Sequence, residues 1–287
     1  MTWHKDRIVE LLLEAGGIGQ RLKSDMRCEL KSDRSIVTAA DREIEALFSR
    51  ELERPESGTY LIGEETIAQK GEAYIEKAFE GETYLVDPID GTAPYAHHLP
   101  LWGVSIGRME GGVLSDGGVY LPDMGEMVVS EGEESLLGRR EGSRWEWRPL
   151  GPLPPRAPST TSLISITQGI AKRGKVMLPN PVLVLGVAVV PLLGLLQGRF
   201  LAYLGSVKLW DIAGVLPHLL RKGFSVTVHP DGERRAVTCR VDESAYHLAP
   251  SSKARWALRS HLLICRPEDE LHLRGSFSGG DIDRKDD

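Results

Sequence analysis

The chain has 287 residues, 41% of them hydrophobic and 26% charged, enough to bury a sizeable core in one large domain or two halves. Its formal net charge of -6, from 41 acidic residues against 35 Lys and Arg, gives no general pull toward a nucleic acid polymer or an anionic membrane. Cys28, Cys239 and Cys265 lie far apart without metal-ligand or CxxC spacing, which excludes a disulfide framework and a zinc site and fits a reducing, cytoplasmic setting.

Charged residues within the first ten positions and the lack of a small-residue cleavage pattern argue against a secretory signal. Ile8, Leu11, Leu12, Ala15 and Ile18 then recur at helical spacing and predict a helix over 6–22; Ala40, Ile44 and Leu47 predict another over 36–52. Tyr60-Leu61-Ile62 and Thr83-Tyr84-Leu85-Val86 read as buried strands, each stopped by Gly or Pro and each delivering acidic residues at its C-terminal end. Between 102 and 129 the alternation of Val104, Ile106, Val119, Met127 and Val129 predicts an antiparallel meander. Gly111-Gly112, Gly117-Gly118 and Pro122-Asp123 are its expected turns. Trp145 and Trp147 alternate with Arg144, Glu146 and Arg148, the pattern of an edge strand.

The proline-rich stretch 151–158 marks a linker between an N-terminal α+β half, residues 1–150, and a C-terminal α/β half, residues 151–274. In the second half the expected order is a strand at 163–167, an apolar helix at 181–197, a strand at 200–204 and a helix at 211–222. The apolar helix is too short, and too broken by Gly186, Pro191 and Gly194, to span a bilayer. Residues 275–287 are Gly, Ser and charge, the composition of a disordered tail.

The densest chemical signal is Asp87-Pro88-Ile89-Asp90-Gly91-Thr92, directly after an apolar strand. Pro88 biases Asp87 toward extended backbone and Gly91 permits a tight turn, so both carboxylates can converge on one point. Converging carboxylates repel unless a cation lies between them, and hard oxygen ligands suit Mg²⁺. Gly63-Glu64-Glu65 and Trp210-Asp211 each end or begin a predicted buried element. Alone, a pair of glutamates is usually solvated and an Asp before a helix is usually a cap. Together with the Asp87 loop they form a carboxylate set. His97-His98 lies nearby but reads as a surface feature and stays outside it.

These segments, with Ile36 to Asp41, Leu99 to Gly107 and Gly198-Arg199, resemble the lithium-sensitive inositol monophosphatase superfamily, related to bisphosphate nucleotidases and fructose-1,6-bisphosphatases. The resemblance implies a layered α/β fold, an αβαβα sandwich, and hydrolysis of a phosphomonoester by metal-activated water. By matching positions it implies that Glu64, Asp87, Asp90, Asp211 and the Ile89 carbonyl hold two or three Mg²⁺ ions. Asp41 and Thr92, with Glu64, would serve catalysis; Gly91, Thr92 and Asp90 would meet the phosphate; Glu65 would support the ligands from behind. A homodimer and lithium inhibition are also implied.

The chain departs from that family where relatives recognise substrate hydroxyls. Leu201-Ala202-Tyr203-Leu204-Gly205-Ser206 carries no acid, and Leu204 cannot accept a hydrogen bond from a sugar or inositol hydroxyl. Leu183, Val184, Gly186 and Val187 replace polar neighbours, Ser35 replaces an acid, and Arg221-Lys222-Gly223-Phe224 also differs. Lys31 is a candidate phosphate contact. The leading expectation is a Mg²⁺-dependent phosphatase acting on a small inositol, sugar or nucleotide phosphate. The alternatives are a 3′(2′),5′-bisphosphate nucleotidase or fructose-1,6-bisphosphatase-like enzyme, and an inactive metal-binding or regulatory homologue.

Overall fold

The computed structural model describes residues 3–23, 28–30, 36–153, 160–229, 233–274 and 276–278. Lys31, Ser35 and most of the expected linker lie outside these residues.

Helix α1 (Lys5–Leu22) is followed by the antiparallel pair β1 (Cys28–Leu30) and β2 (Ile36–Thr38), then by α2 (Ala39–Leu52). The second helix therefore starts three residues later than its periodicity suggests. β-branched Ile36, Val37 and Thr38 favour extended backbone, and Thr38 closes a capping box with Asp41 that fixes the helix start.

Strand β3 (Thr59–Gly63), helix α3 (Glu72–Glu80) and strand β4 (Glu82–Asp90) form a βαβ unit with β3 and β4 parallel. After the short α4 (Thr92–Ala96) come β5 (Gly103–Glu110), β6 (Val113–Leu121), β7 (Glu126–Glu131), β8 (Glu134–Glu141) and β9 (Arg144–Pro149). They complete a seven-stranded sheet in chain order, with the Trp145 and Trp147 strand at its edge. Gly117-Gly118, expected as a turn, lies inside β6.

The second half begins with β10 (Leu163–Ile166), α5 (Gln168–Arg173), β11 (Lys175–Val176), β12 (Val182–Leu183) and α6 (Val189–Leu196). It continues with β13 (Phe200–Gly205), α7 (Leu209–Ala213), α8 (Leu216–Arg221), β14 (Ser225–Val228) and β15 (Arg235–Ala236). It closes with β16 (Leu262–Cys265), α9 (Pro267–Arg274) and β17 (Phe277–Ser278). The main sheet has the order β12-β10-β13-β16-β14-β15. Two expectations change here. The apolar helix forms only from Val189, because Gly186 sits at φ +71 and ends any helical run before it. The helix after Trp210 breaks at Gly214 and Val215, and Pro217 starts a new one. Of the expected tail, Phe277–Ser278 pairs with Lys175–Val176; residues 279–287 lie outside the described set.

The elements stack in five layers. Helices α1 and α2 pack on one face of the seven-stranded sheet, where Leu11, Leu12, Ile44 and Phe48 meet Tyr84, Val86 and Ile106. The opposite face meets α6, α7 and α8, of which α6 and α8 also touch the six-stranded sheet, and one continuous core joins Leu85 and Val119 to Leu192, Ile212 and Ile264. Helices α5 and α9 cover the far face of that second sheet, with Ile170 and Leu273 against Ile164 and Leu263. This is the expected αβαβα arrangement, and it brings the ends of β3 and β4 beside the central helices.

Candidate metal centre and active site

The parallel pairing of β3 and β4 ends with Gly63 opposite Val86, and the Glu64 amide still donates to the Val86 carbonyl at 3.2 Å. Glu64 therefore leaves β3 beside Asp87 on β4. Strand β4 does not stop before Asp87, as expected, but runs through Asp90, pairing Asp87 with Ser105 and Asp90 with Gly103 across a register shift. Pro88 has no N–H to give the ladder, so the irregularity falls where a hydrogen bond is unavailable anyway. Gly91 then turns at φ +88; a Cβ there would lie 2.7 Å from the Leu101 carbonyl and 2.9 Å from Val187. Thr92 opens α4 and its Oγ1 donates to the Ile89 carbonyl at 3.0 Å.

Asp211 arrives from the central layer. Its Oδ2 accepts the Lys208 amide at 2.8 Å at the start of α7. The Lys208 ammonium lies 3.3 Å from Glu64 Oε1 and over the Trp210 ring. Asp90 reaches the same layer: its Oδ2 accepts the amides of Ala188, at 2.7 Å, and Val189, where α6 begins. Asp41 comes from the first turn of α2, its Oδ2 accepting both the amide and the hydroxyl of Thr38.

The carboxylates feel one another. Burial pushes Asp87 well above the usual carboxylate range, and the charges of Glu64, Asp90, Asp211 and Asp41 push it further. Burial also raises Asp90, with Asp211 adding to it and the Val189 and Ala188 amides opposing. Asp211 is raised by burial and by Glu64, against the pull of the Lys208 amide. Asp41 rises to about 7, mainly through burial, with Glu65 and Glu64 contributing. Each shift records a negative charge taken out of water toward others of its sign.

The structure thus gathers Glu64, Asp87, Asp90, Asp211 and Asp41 in one place, with Thr92 held on the Ile89 carbonyl. Glu65 flanks Asp41. His97 is exposed and its ring bonds to the Ala93 carbonyl, away from this cluster. Leu204, expected to face a substrate hydroxyl, instead points into the outer core with Ile164 and Leu263. The β-strand period of two turns its neighbour Tyr203 the other way, toward Asp90 and Asp211; burial raises the phenol's pKa, and the two carboxylate charges add to it. Two residues of the site were not anticipated. Lys208 has no local signal. Glu45 has one: it lies one helical turn after Asp41, on the same face of α2, and its carboxylate holds the amides of Glu65 and Thr66 at 2.8 Å.

Among the described residues no three Asp, Glu, His or Cys side chains already aim their donors at a common centre. Oδ2 of Asp90 and Oδ2 of Asp211 turn to backbone amides, and Glu64 turns to Lys208. The donor set nonetheless fits a hard divalent cation. Asp87 Oδ1 is buried without a hydrogen-bond partner, surrounded by further carboxylates. A buried oxygen of that kind is costly unless a cation or a proton satisfies it.

The sequence profile described as the inositol monophosphatase family matches residues 7–238. An inositol monophosphatase of Mesembryanthemum crystallinum is 41% identical over 68 residues, 24% of this chain and 24% of that protein. A histidinol-phosphatase of Chlorobaculum parvum is 37% identical over 51 residues, 18% of this chain and 20% of that protein. The chain thus matches about a quarter or less of the length of these curated relatives. Among solved structures, the IMPase of Thermotoga maritima superposes with a TM-score of 0.66 at 20% identity, covering 93% of this chain and 94% of that one. An IMPase/NADP phosphatase complexed with NADP and Ca²⁺ gives 0.69 at 18% identity, covering 97% and 100%. These two likenesses carry the fold, and the profile match over most of the length carries the family: the chain belongs to the inositol monophosphatase family.

Proposed function

We propose that this protein hydrolyses a small phosphomonoester with the help of bound Mg²⁺, in two or three positions held by Glu64, Asp87, Asp90, Asp211 and the Ile89 carbonyl. The observation that carries the reading is the bare, buried Oδ1 of Asp87 among like-charged neighbours. Bound Mg²⁺ would supply charge neutralisation at the phosphate and a lowered pKa for a coordinated water.

The remaining steps fall to the chain's own groups. Thr92 Oγ1 gives its hydrogen to the Ile89 carbonyl, so its lone pairs face outward as acceptors for the hydrogen of an attacking water. Asp41, anchored by Thr38 and with a pKa near 7, is poised to take a proton near neutral pH. Glu64 shares that role with Asp41 by orienting the water. Asp90, with the turn at Gly91 and Thr92, forms the wall against which the phosphate is placed. Glu65 supports these groups from behind.

A second reading, hydrolysis of a nucleotide or sugar bisphosphate, is favoured by Lys208, whose partly exposed ammonium stands at the rim beside Glu64 and suits a second phosphate. An inactive homologue is disfavoured by the presence of Asp41 and Thr92 alongside every proposed ligand. A homodimer, lithium inhibition and a cytoplasmic setting complete the proposal. No helix among the described residues is long and apolar enough to cross a membrane.

The test is release of inorganic phosphate from a panel of inositol, sugar, nucleotide, bisphosphate and histidinol esters, with and without Mg²⁺. Mg²⁺-dependent release from one class supports the proposal and names the substrate class. A folded protein that releases none from any ester in Mg²⁺ overturns it in favour of the inactive homologue.

A further inference from the structure

Resting on the metal-site reading above, we infer that Glu45 is a positioning residue for the cation centre, a buried acidic pedestal that fixes the loop carrying Glu64 and Glu65. Glu45 sits on α2 and is 0% exposed. Its Oε2 accepts the Glu65 amide and its Oε1 accepts the Thr66 amide, both at 2.8 Å. One carboxylate therefore satisfies two consecutive backbone donors just beyond the end of β3.

The fit is close on the third side as well. A Cβ placed on Gly63 would lie 2.3 Å from Glu45 Cδ, so the carboxylate is packed against the backbone of the last residue of β3. Glu64 is bracketed: its own amide is tied to Val86 on β4, and the two amides that follow it are tied to Glu45. A flexible loop would have to order its backbone on binding a cation, at an entropic cost for every residue fixed. Here that ordering is already done by a side chain that touches no cation itself. The same helix presents Asp41 one turn earlier, so α2 sets the Glu64 loop and Asp41 in fixed relation to one another.

Why a carboxylate, and not the isosteric amide, follows from donor counting. Gln at this position has one acceptor oxygen and one NH₂ group, so one of the two backbone N–H groups would face another donor. Asp keeps both acceptors but is one methylene shorter.

The experiment measures Mn²⁺ binding by isothermal titration on the full chain and on Glu45→Gln and Glu45→Asp, together with the melting temperature of each without metal. Glu45→Gln is expected to weaken the Mn²⁺ Kd by about tenfold or more, within the range typical of residues that orient ligands, with Glu45→Asp between it and the parent. A Glu45→Gln protein that melts lower yet binds Mn²⁺ within twofold of the parent assigns Glu45 to the fold alone and overturns the inference. A parent that binds no Mn²⁺ overturns the metal-site reading itself. If Glu45→Gln does not fold, amide hydrogen exchange on the unsubstituted, metal-free protein decides. Exchange at Glu65 and Thr66 as slow as within β3 supports the pedestal, and exchange at loop rates overturns it.

Discussion

Asp90 and Ala188, 98 residues apart in sequence, are joined by a 2.7 Å hydrogen bond from the Ala188 amide to Asp90 Oδ2, with the Val189 amide converging on the same oxygen. One carboxylate oxygen thereby ties the end of β4 to the start of α6, in a group that also feels the charges of Asp211 and Glu64. The first sheet and the central helical layer are connected at the site itself.

This double role separates two substitutions. Asp90→Asn keeps an oxygen for the two amides, so its metal-free melting temperature should stay within a few degrees of the parent or rise, because one buried charge is gone. Phosphate release should fall more than about 100-fold, as losing several kcal/mol of transition-state stabilisation requires. Asp90→Ala should lose activity equally and also about 1–2 kcal/mol of stability with the lost cap. Unchanged turnover in Asp90→Asn, or equal stability of the two variants, contradicts this.

Thr92 separates hydroxyl from methyl. Because Oγ1 is held on the Ile89 carbonyl, Thr92→Ser should retain activity within about tenfold while Thr92→Ala should lower kcat by about 100-fold or more with KM little changed. Steady-state kinetics on the ester identified by the phosphate-release panel checks the split. A Thr92→Ala loss appearing only in KM would assign the hydroxyl to binding.

Gly117 tests how α7 is delivered. A Cβ at Gly117 would lie 2.3 Å from the Gly214 carbonyl, directly after the helix that carries Asp211, and no flexible side chain is there to yield. Gly117→Ala should push that segment off the sheet, lowering stability by about 1–3 kcal/mol in urea unfolding. It should also weaken Mn²⁺ binding, although Gly117 is not itself part of the carboxylate cluster. Loss of stability with unaltered Mn²⁺ affinity would show that α7 follows the sheet no further than packing demands.

His218 sets an acid limit. Its imidazole is fully buried, Nε2 donating to the Gly117 carbonyl at 3.0 Å and Nδ1 accepting from Ser135 Oγ at 2.7 Å, and burial pushes its pKa down from 6.5 to about 3. Between those values the unfolded chain binds the proton and the folded one does not, so stability rises with pH and is lost on acidification below 6.5. From pH 6.5 to 4.5 the loss through this group is about 2 kcal/mol. Gln at this position can make both hydrogen bonds without titrating. Urea midpoints at the two pH values should therefore fall less in His218→Gln than in the parent; equal falls would remove His218 from the acid response.

Much of the site was legible in the sequence because its acids sit at strand ends, where local pattern and turn residues mark a carboxylate's exit from a core. Asp87 to Thr92 and Gly63 to Glu65 are such places. Alternating strands and helices pointed to a layered α/β second half, while the five-layer order came from the family resemblance and not from any local pattern. What was illegible depends on distance or parity. Leu204 counts as a lost hydroxyl contact only if it faces the site, and a strand's two-residue period sends Tyr203 there instead. The apolar run at 181–197 reads as one helix until the backbone sign at Gly186 is known. Lys208 meets Glu64 across 144 residues, a pairing no local pattern encodes. Glu45 was visible only as an acid one turn from Asp41, and an acid on a helix is ordinarily solvated.

The most direct measurement is anomalous scattering from crystals of the protein soaked in Mn²⁺. The account predicts strong peaks coordinated by carboxylate oxygens of Asp87, Asp90, Asp211 and Glu64, with Glu64 swung from Lys208 and Asp87 Oδ1 among the ligands. Peaks only elsewhere, or Asp211 turned away from any ion held by Asp87 and Asp90, would contradict it.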